Sequence, residues 1–290
     1  MNYEVLNVLH PDTTDWTAQK ARLQRINGTL LTLAPDPGLL QKQIQEQINV
    51  VNVVDYVTNR TYNPDQFLFF DQIPTVAGAE IFMAKSGQIN LIHDGYPIGT
   101  VRLYPNTRRL VNNITYLNLD GTRDFIEEYA FDGKLFSRID YDDNHVQRIQ
   151  FYNDDQVVVL TYYFYNGQMN LITVEDPASH RILERYDSTG AFLAAKVGEI
   201  IQADDAAVIS YLGLELTALS QTQSDNTLAL IESPLDEQGE VRGNLKAILD
   251  NRLPYVQHVA LPQKLADQLL KAHQPMTKIL IETEGENGRS

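Results

Sequence analysis

The sequence predicts an α+β fold in which an α/β half-domain is interrupted by a large antiparallel β-meander insertion. Three observations lead there. Both ends of the chain carry apolar residues at helical spacing between short β-branched runs. Between about residues 66 and 203 that helical periodicity disappears, and Tyr-, Ile-, Val- and Phe-rich runs alternate with turn residues. Those turns recur about every eleven residues, the spacing of strand plus turn in a meander. At 290 residues the chain is long enough for about two domains. The expected organisation is residues 1–65 as the first part of the α/β domain, 66–203 as an extended antiparallel sheet domain, and 204–290 as the second part of the α/β domain.

In the first part, TDWTAQKARLQRI (14–26) reads as a helix with Trp16, Leu23 and Ile26 on or near one face. TLLTL (29–33) is a short apolar strand, broken by Ala34-Pro35-Asp36-Pro37-Gly38. Leu40, Ile44 and Ile48 recur at helical spacing. VVNVVDYV (50–57) is rich in β-branched residues and is expected to be a buried strand.

In the middle part, ITYLNL, FIEEYAF, LFSRIDY, VQRIQFY and VVVLTYYFY are the expected strands. Their turns fall at Asp120-Gly121, Asp132-Gly133, Asp142-Asp143-Asn144, Asn153-Asp154-Asp155, Asn166-Gly167, Asp176-Pro177 and Thr189-Gly190. Asp-Gly and Asn-Gly supply the positive φ of tight hairpin turns. Strand 157–165 is apolar on both faces, so each face is expected to be covered. Nine of the 15 tyrosines lie between Tyr104 and Tyr186. A Tyr-rich open sheet offers rigid contact area with polar tips, and its edges can accept a further strand. The segment 120–156 holds ten acids against four bases, most of the acids at turns. Solubility and edge protection explain them most simply; an acidic rim around a docking surface is the sharper alternative.

In the last part, TLALIE (227–232), YVQHVAL (255–261) and KILIE (278–282) are strands. EVRGNLKAILDNR (240–252) is a helix with Val241, Leu245, Ile248 and Leu249 on one face, and Leu265 and Leu269 belong to another. The tail GENGRS reads as loop.

Composition excludes several functions. Lys and Arg number 23 against 38 Asp and Glu, a formal charge of −15, which repels a phosphate backbone and disfavours nucleic acid and anionic lipid. There is no cysteine, hence no disulfide, thiolate metal site or cysteine nucleophile. The N-terminus has no secretory pattern and no stretch reaches 18 apolar residues, so no transmembrane segment is expected. The lack of cysteine fits a reducing cytoplasm, and a cytoplasmic location, free or peripheral at the inner face of the membrane, is the expectation.

The motifs are weak. His10-Pro11-Asp12 lacks the basic flanking helices of a J-domain. Asp140-Tyr141-Asp142 and Asn144 imitate a metal loop, but His145 stands where a calcium loop needs glycine and Phe151 where it needs glutamate. No two histidines share a helix face, and there is no Gly-rich phosphate loop or nucleophile elbow. No catalytic residue, metal ligand or cofactor site emerges. The binding candidates are His258, in a strand near where open sheets place their crevices, and Tyr116, Tyr152, Tyr162 and Tyr163 of the sheet. For His258, a satisfied structural role is the simpler reading.

Three segments carry a family resemblance. The first is Ala18-Gln19-Lys20-Ala21-Arg22-Leu23 with TLLTLAPD and Asn52-Val53-Val54-Asp55-Tyr56. The second is ITYLNLDGTRDFIEEYAFDGKLFSRIDY, and the third runs from LALIESPLDEQGEVRGNLKAILDN through YVQHVAL to ILIETE. Together they resemble a bacterial glycosyltransferase-like family with two Rossmann halves and an extended β-sheet inserted in the first. Its members include wall teichoic acid glycosyltransferases of Gram-positive bacteria. They also include the paired subunits that glycosylate serine-rich adhesins beside the accessory secretion system.

The resemblance implies a Rossmann-like half-domain, with His258 where the family often has a histidine after a strand. It also implies that the nucleotide-sugar site lies mainly in a second half, which this sequence does not reach. The expectation is therefore an accessory or N-terminal portion that binds an acceptor, a Ser/Thr-rich protein or a teichoic-acid-type polymer. It would work with a homologous subunit or with itself, and not as an enzyme alone. The alternatives are an active retaining glycosyltransferase using a nucleotide sugar, and a β-rich interaction domain unrelated to sugars.

Overall fold

The computed structural model describes residues 1–282. The loop expected over GENGRS lies outside the described residues. Along the chain come β1 (Asn2–Leu6), α1 (Thr14–Arg25), β2 (Thr29–Thr32), α2 (Leu39–Glu46), β3 (Val50–Asn52) and α3 (Val53–Thr58). Ten strands follow: β4 (Glu80–Met83), β5 (Ile89–His93), β6 (Tyr96–Leu103), β7 (Val111–Leu117), β8 (Arg123–Tyr129), β9 (Leu135–Asp142), β10 (His145–Tyr152), β11 (Val158–Tyr165), β12 (Gln168–Glu175) and β13 (Ile182–Tyr186). Then come α4 (Thr189–Ile200), β14 (Ala206–Ile209), α5 (Leu214–Ala218), β15 (Asp225–Ala229), α6 (Gly243–Leu249), β16 (His258–Pro262), α7 (Gln263–Lys271) and β17 (Ile279–Glu282).

The residues form two compact units. One comprises Met1–Ala34, Ile48–Val53 and the residues from Leu193 onward; the other comprises Pro35–Gln47 and Val54–Phe192.

The first unit is built on a parallel sheet ordered β3-β2-β1-β14-β15-β16-β17. Strands from both ends of the chain share it, as expected of an interrupted α/β half-domain, and the order is that of a doubly wound Rossmann-like sheet. Val5, Leu30, Leu31, Ala207, Ile209, Leu228, Val259 and Leu261 are all buried, as strands covered on both faces require. The exception is Glu4 in β1, fully buried and held by Arg22 of α1 through Nε–Oε2 at 2.8 Å and Nη2–Oε1 at 2.5 Å. Arg22 Nη2 also donates to Ser210 Oγ, just past β14, at 2.8 Å. Burial raises the Glu4 pKa, outweighing the opposing pull of Arg22. Thr13 caps α1 by accepting from the Trp16 amide, Asp15 lies in its first turn, and Arg22 and Arg25 lie in its last.

Several elements depart from the sequence-based expectation. Residues 50–57 are not one strand: β3 stops at Asn52, whose Nδ2 donates to Thr32 Oγ1 at 2.9 Å and to the Ala34 carbonyl at 2.7 Å. The remaining valines turn helical; β-branched composition marked burial here, not strand. Ile48 falls outside α2, which ends where Gln47 adopts left-handed backbone at φ 54°. Thr189-Gly190 is not a turn but the opening of α4, where Ser188 Oγ accepts from the Ala191 amide at 3.2 Å.

The second unit holds a ten-stranded antiparallel sheet in strict chain order, β4 through β13. Asp94-Gly95, Asp143-Asn144 and Asn166-Gly167 each place two successive residues at positive φ, the backbone of a two-residue hairpin turn. Acids of the 120–156 segment serve structure. Asp140 is held by Arg138 at 2.7 Å and Arg148 at 2.6 Å, so Asp140-Tyr141-Asp142 is an ion-paired strand end. Asp132 is buried and accepts from the Asn63 amide at 3.1 Å. One face of the sheet buries Phe136, Phe151, Tyr162 and Phe192 in edge-to-face sequence, with centroids 5.8, 5.0 and 5.9 Å apart. Ile73 joins a second cluster with Ile89, Leu91 and Ile114. Among the described residues, no helix is long and apolar enough to cross a membrane.

Two measurements test this account. Arg22→Met alone should lower urea stability by about 3–5 kcal/mol, because it strands the buried Glu4 charge, whereas Glu4→Leu/Arg22→Met together should recover most of the loss. The second concerns Asp55 in α3, which accepts from Tyr62 Oη at 2.7 Å and whose pKa burial raises to about 7. The folded state holds that proton more tightly than the unfolded chain. Its stabilising contribution is therefore complete below about pH 4 and gone above about pH 7. Asp55→Asn should remove that slope, so the variant gains on the parent protein as pH rises across the window in urea unfolding.

Candidate functional site

In an open α/β sheet the binding crevice lies outside the carboxyl ends of the strands, where the strand order reverses. Here the reversal falls between β1 and β14. A pocket of about 230 Å³ lies there, lined by Leu6, Asn7 and Val8 after β1 and by Tyr211 and Glu215 after β14. His10, Thr13, Asp15 and Gln19, from the loop into α1 and from α1 itself, complete it.

Each polar group is placed by the fold. The Asn7 amide, one residue past β1, donates to Glu215 Oε1 at 2.9 Å. Tyr211 Oη donates to Asp15 Oδ2 at 2.5 Å, and the tyrosine pKa is pushed up to about 12 by burial and by that carboxylate. Thr13 Oγ1 donates to the His10 carbonyl at 2.9 Å, fixing the loop. Gln19 lies on the buried stripe of α1 with Trp16 and Leu23, and its amide Nε2 has no hydrogen-bond partner. No Lys or Arg lines the pocket and no glycine stands between β1 and α1. Among the described residues no group of three His, Asp or Glu side chains is placed to hold a metal.

No protein-family model matches the chain, and no curated protein matches it by sequence. Solved structures do match in fold. The pneumococcal O-GlcNAc transferase GtfA, in complex with UDP and GlcNAc, superposes with a TM-score of 0.77 at 12% identity, over 97% of this chain and 59% of that one. The chain shares its fold with that part of GtfA. Accessory secretory protein 1, 2 and 3 of Streptococcus pneumoniae gives a TM-score of 0.76 at 14% identity, over 97% of this chain and 61% of that one. TarM of S. aureus, in complex with fondaparinux, α-GlcNAc-glycerol and UDP, gives 0.54 at 12% identity, over 99% and 62%. The chain thus spans about 60% of the length of these proteins.

The five residues singled out from sequence do not form one site. His258 opens β16 and pairs with Asp225, the first residue of β15, at 3.4 Å. Both stand at the amino ends of the parallel strands, away from the crevice. Tyr162 is a core residue, 7% exposed, set edge-on between Phe151 and Phe192. Its neighbour Tyr163 points to the opposite face by strand alternation. There the register lines up Tyr116, Phe125, Asp140, Arg148 and Tyr163 across five strands. Tyr116 stacks on Phe125 with centroids 4.5 Å apart, and Arg138 lies 3.8 Å over the Phe125 ring. Tyr152 lies four residues after Arg148 in β10, so strand alternation puts it on this face too. Tyr116, Tyr152 and Tyr163 are therefore brought together on a half-exposed surface, without Tyr162.

Sequence reasoning missed Asp15, Gln19, Tyr211 and Glu215. One signal was present: Gln19 is the polar member of an otherwise apolar stripe with Trp16 and Leu23. The two faces of β11 give a direct test. Tyr162→Ala should lower stability by about 3–5 kcal/mol as a core aromatic, and Tyr163→Ala by less than about 1 kcal/mol, both read by denaturant unfolding.

Proposed function

We propose that this chain is a glycosyltransferase-like subunit that binds an acceptor and a homologous partner, and that it does not transfer sugar by itself. The observation that carries this reading is the crevice. It occupies the ligand position of a Rossmann-like sheet within a glycosyltransferase fold. Yet it presents Asp15 and Glu215 where a nucleotide diphosphate would need cations or a Gly-rich loop. An acidic, cation-free crevice suits an uncharged acceptor group better than a donor's phosphates. The second unit adds a surface for a long acceptor or a partner, the row of Tyr116, Phe125, Arg148 and Tyr163, with Tyr152 beside it. A paired assembly accords with the GtfA/B complex, bound to UDP and GlcNAc, whose fold this chain shares at a TM-score of 0.71 and 16% identity. The acceptor is taken to be a Ser/Thr-rich protein or a polyol-phosphate polymer, and the setting cytoplasmic.

The test is turnover of UDP-GlcNAc by the purified chain. We expect neither hydrolysis nor transfer above the buffer blank. Turnover that Asp15→Asn or Glu215→Gln abolishes would instead make the chain an active glycosyltransferase.

A further inference from the structure

We infer that residues 59–68 form a latch across the hairpin ends of the ten-stranded sheet, closed while Asp55 holds its proton and loosened when that proton leaves. All the groups concerned lie in the second unit. The inference concerns how this unit opens and is independent of the acceptor reading.

Residues 59–68 belong to no helix or strand, and the sheet supplies their partners. Arg60 Nη2 donates to the Leu135 carbonyl at the start of β9 at 2.5 Å and to the Tyr152 carbonyl at the end of β10 at 2.6 Å. Its guanidinium lies 5.3 Å from the centre of the Phe136 ring. The Thr61 amide and hydroxyl both donate to Asp154 in the β10–β11 turn, the amide at 3.2 Å. Lys134 Nζ donates to the Thr61 carbonyl at 2.9 Å and pairs with Asp154 at 3.0 Å. The Asn63 amide donates to Asp132 in the β8–β9 turn at 3.1 Å. Leu68 passes so close to Gly133 that a side chain there would strike its amide. One segment thus fastens two hairpin turns and the end of β10, the strand that presents Tyr152.

The latch is rooted at Asp55, which is 9% exposed. The Arg60 amide donates to the Asp55 carbonyl at 3.0 Å, and Tyr62 Oη donates to its carboxyl. The charged groups around that carboxyl come from three places. Arg60, in the latch, attracts its ionised form. Asp36, ahead of α2 and paired with Lys42, repels it, as does Asp132, beside Lys134. Burial, aided by the two carboxylates, outweighs Tyr62 and Arg60, and the proton is held up to about pH 7.

An ionised Asp55 recovers its hydration when the segment folded over it moves away. In the open form the carboxyl titrates near its ordinary 3.8. The closed form binds the proton more tightly, so closure is favoured in full below about pH 4 and weakens as pH rises to about 7. One proton shifts the opening equilibrium about tenfold per pH unit within that window. Above it both forms are ionised and the equilibrium is level.

Amide hydrogen exchange of the full isotope-labelled chain, followed by NMR and corrected for the intrinsic rate at each pH, reads the latch directly. The Thr61 and Asn63 amides should exchange faster than those of the buried Leu160 in β11 and Ile172 in β12, because they open locally. Their protection should fall about tenfold per unit from about pH 5 to about pH 7 and level off above. Asp55→Asn, which leaves a neutral hydrogen-bonding group in place, should make that profile flat. Tyr62→Phe removes a bond that favours the carboxylate and should move the levelling-off to higher pH.

The inference is overturned if Thr61 and Asn63 exchange as slowly as Leu160 and Ile172, since the proton would then act on the whole unit and not on a latch. It is equally overturned if their protection in the parent chain is flat with pH, or if the slope survives in Asp55→Asn. Should a variant fail to fold, the profile of the parent chain decides on its own.

Discussion

The first unit depends on a buried carboxylate. Glu4 sits in an interior strand of the parallel sheet, where both faces are covered and its register partners on either side are Val208 and Leu30. Its charge is tolerable only because Arg22 reaches it from α1 with two hydrogen bonds and spans on to Ser210 beyond β14. That contact joins the first strand, the first helix and a strand some two hundred residues later. It also ties β1 and α1 to the segment just past β14, the seam at which the crevice lies. An apolar pair could fill the same space. A salt link adds directionality: the guanidinium fork accepts one alignment of helix on strand, which is what a site built from α1 and two strand ends requires.

The crevice illustrates how a small set of departures from apolar packing defines chemistry. Leu23 and Trp16 pack α1 on the sheet as any amphipathic helix would. Gln19, one turn after Trp16, keeps the same burial but brings an amide. Across the seam, Glu215 brings a carboxylate between two leucines, Leu214 and Leu216. Neither residue belongs to a motif, and the two lie about two thirds of the chain apart. Only the parallel pairing of β1 with β14 makes them neighbours.

This explains what could and could not be read in advance. The meander was legible because its determinants are local: Asp-Gly and Asn-Gly turns fix hairpins whose strands are adjacent in sequence. Helix α1 was legible from its stripe. β1 was not: NYEVL places a charged residue in a strand core, and nothing nearby announces its distant partner. The helix after Asn52 was hidden by a run of five valines whose composition favours a strand, and α4 by a Thr-Gly pair that looks like a turn. Tyr162 and Tyr163 appeared equivalent, and strand alternation sent one into the core and the other outward. The family resemblance carried the architecture but pointed to His258, at the wrong end of the strands for a crevice, and not to Gln19 or Glu215.

The strict chain order of the ten-stranded sheet has a consequence for how the molecule is made. Each of its strands can pair with the one just synthesised, so the sheet can zip up as the chain emerges. β1 cannot complete its pairing until β14 has been made, and β1, β2 and the apolar side of α1 must wait through the whole meander. During that interval their unpaired edge is an opening for aggregation. Slowing translation after β14 would favour assembly of the parallel sheet, whereas a chain truncated before Ala206 would leave β1 permanently without a partner on that side.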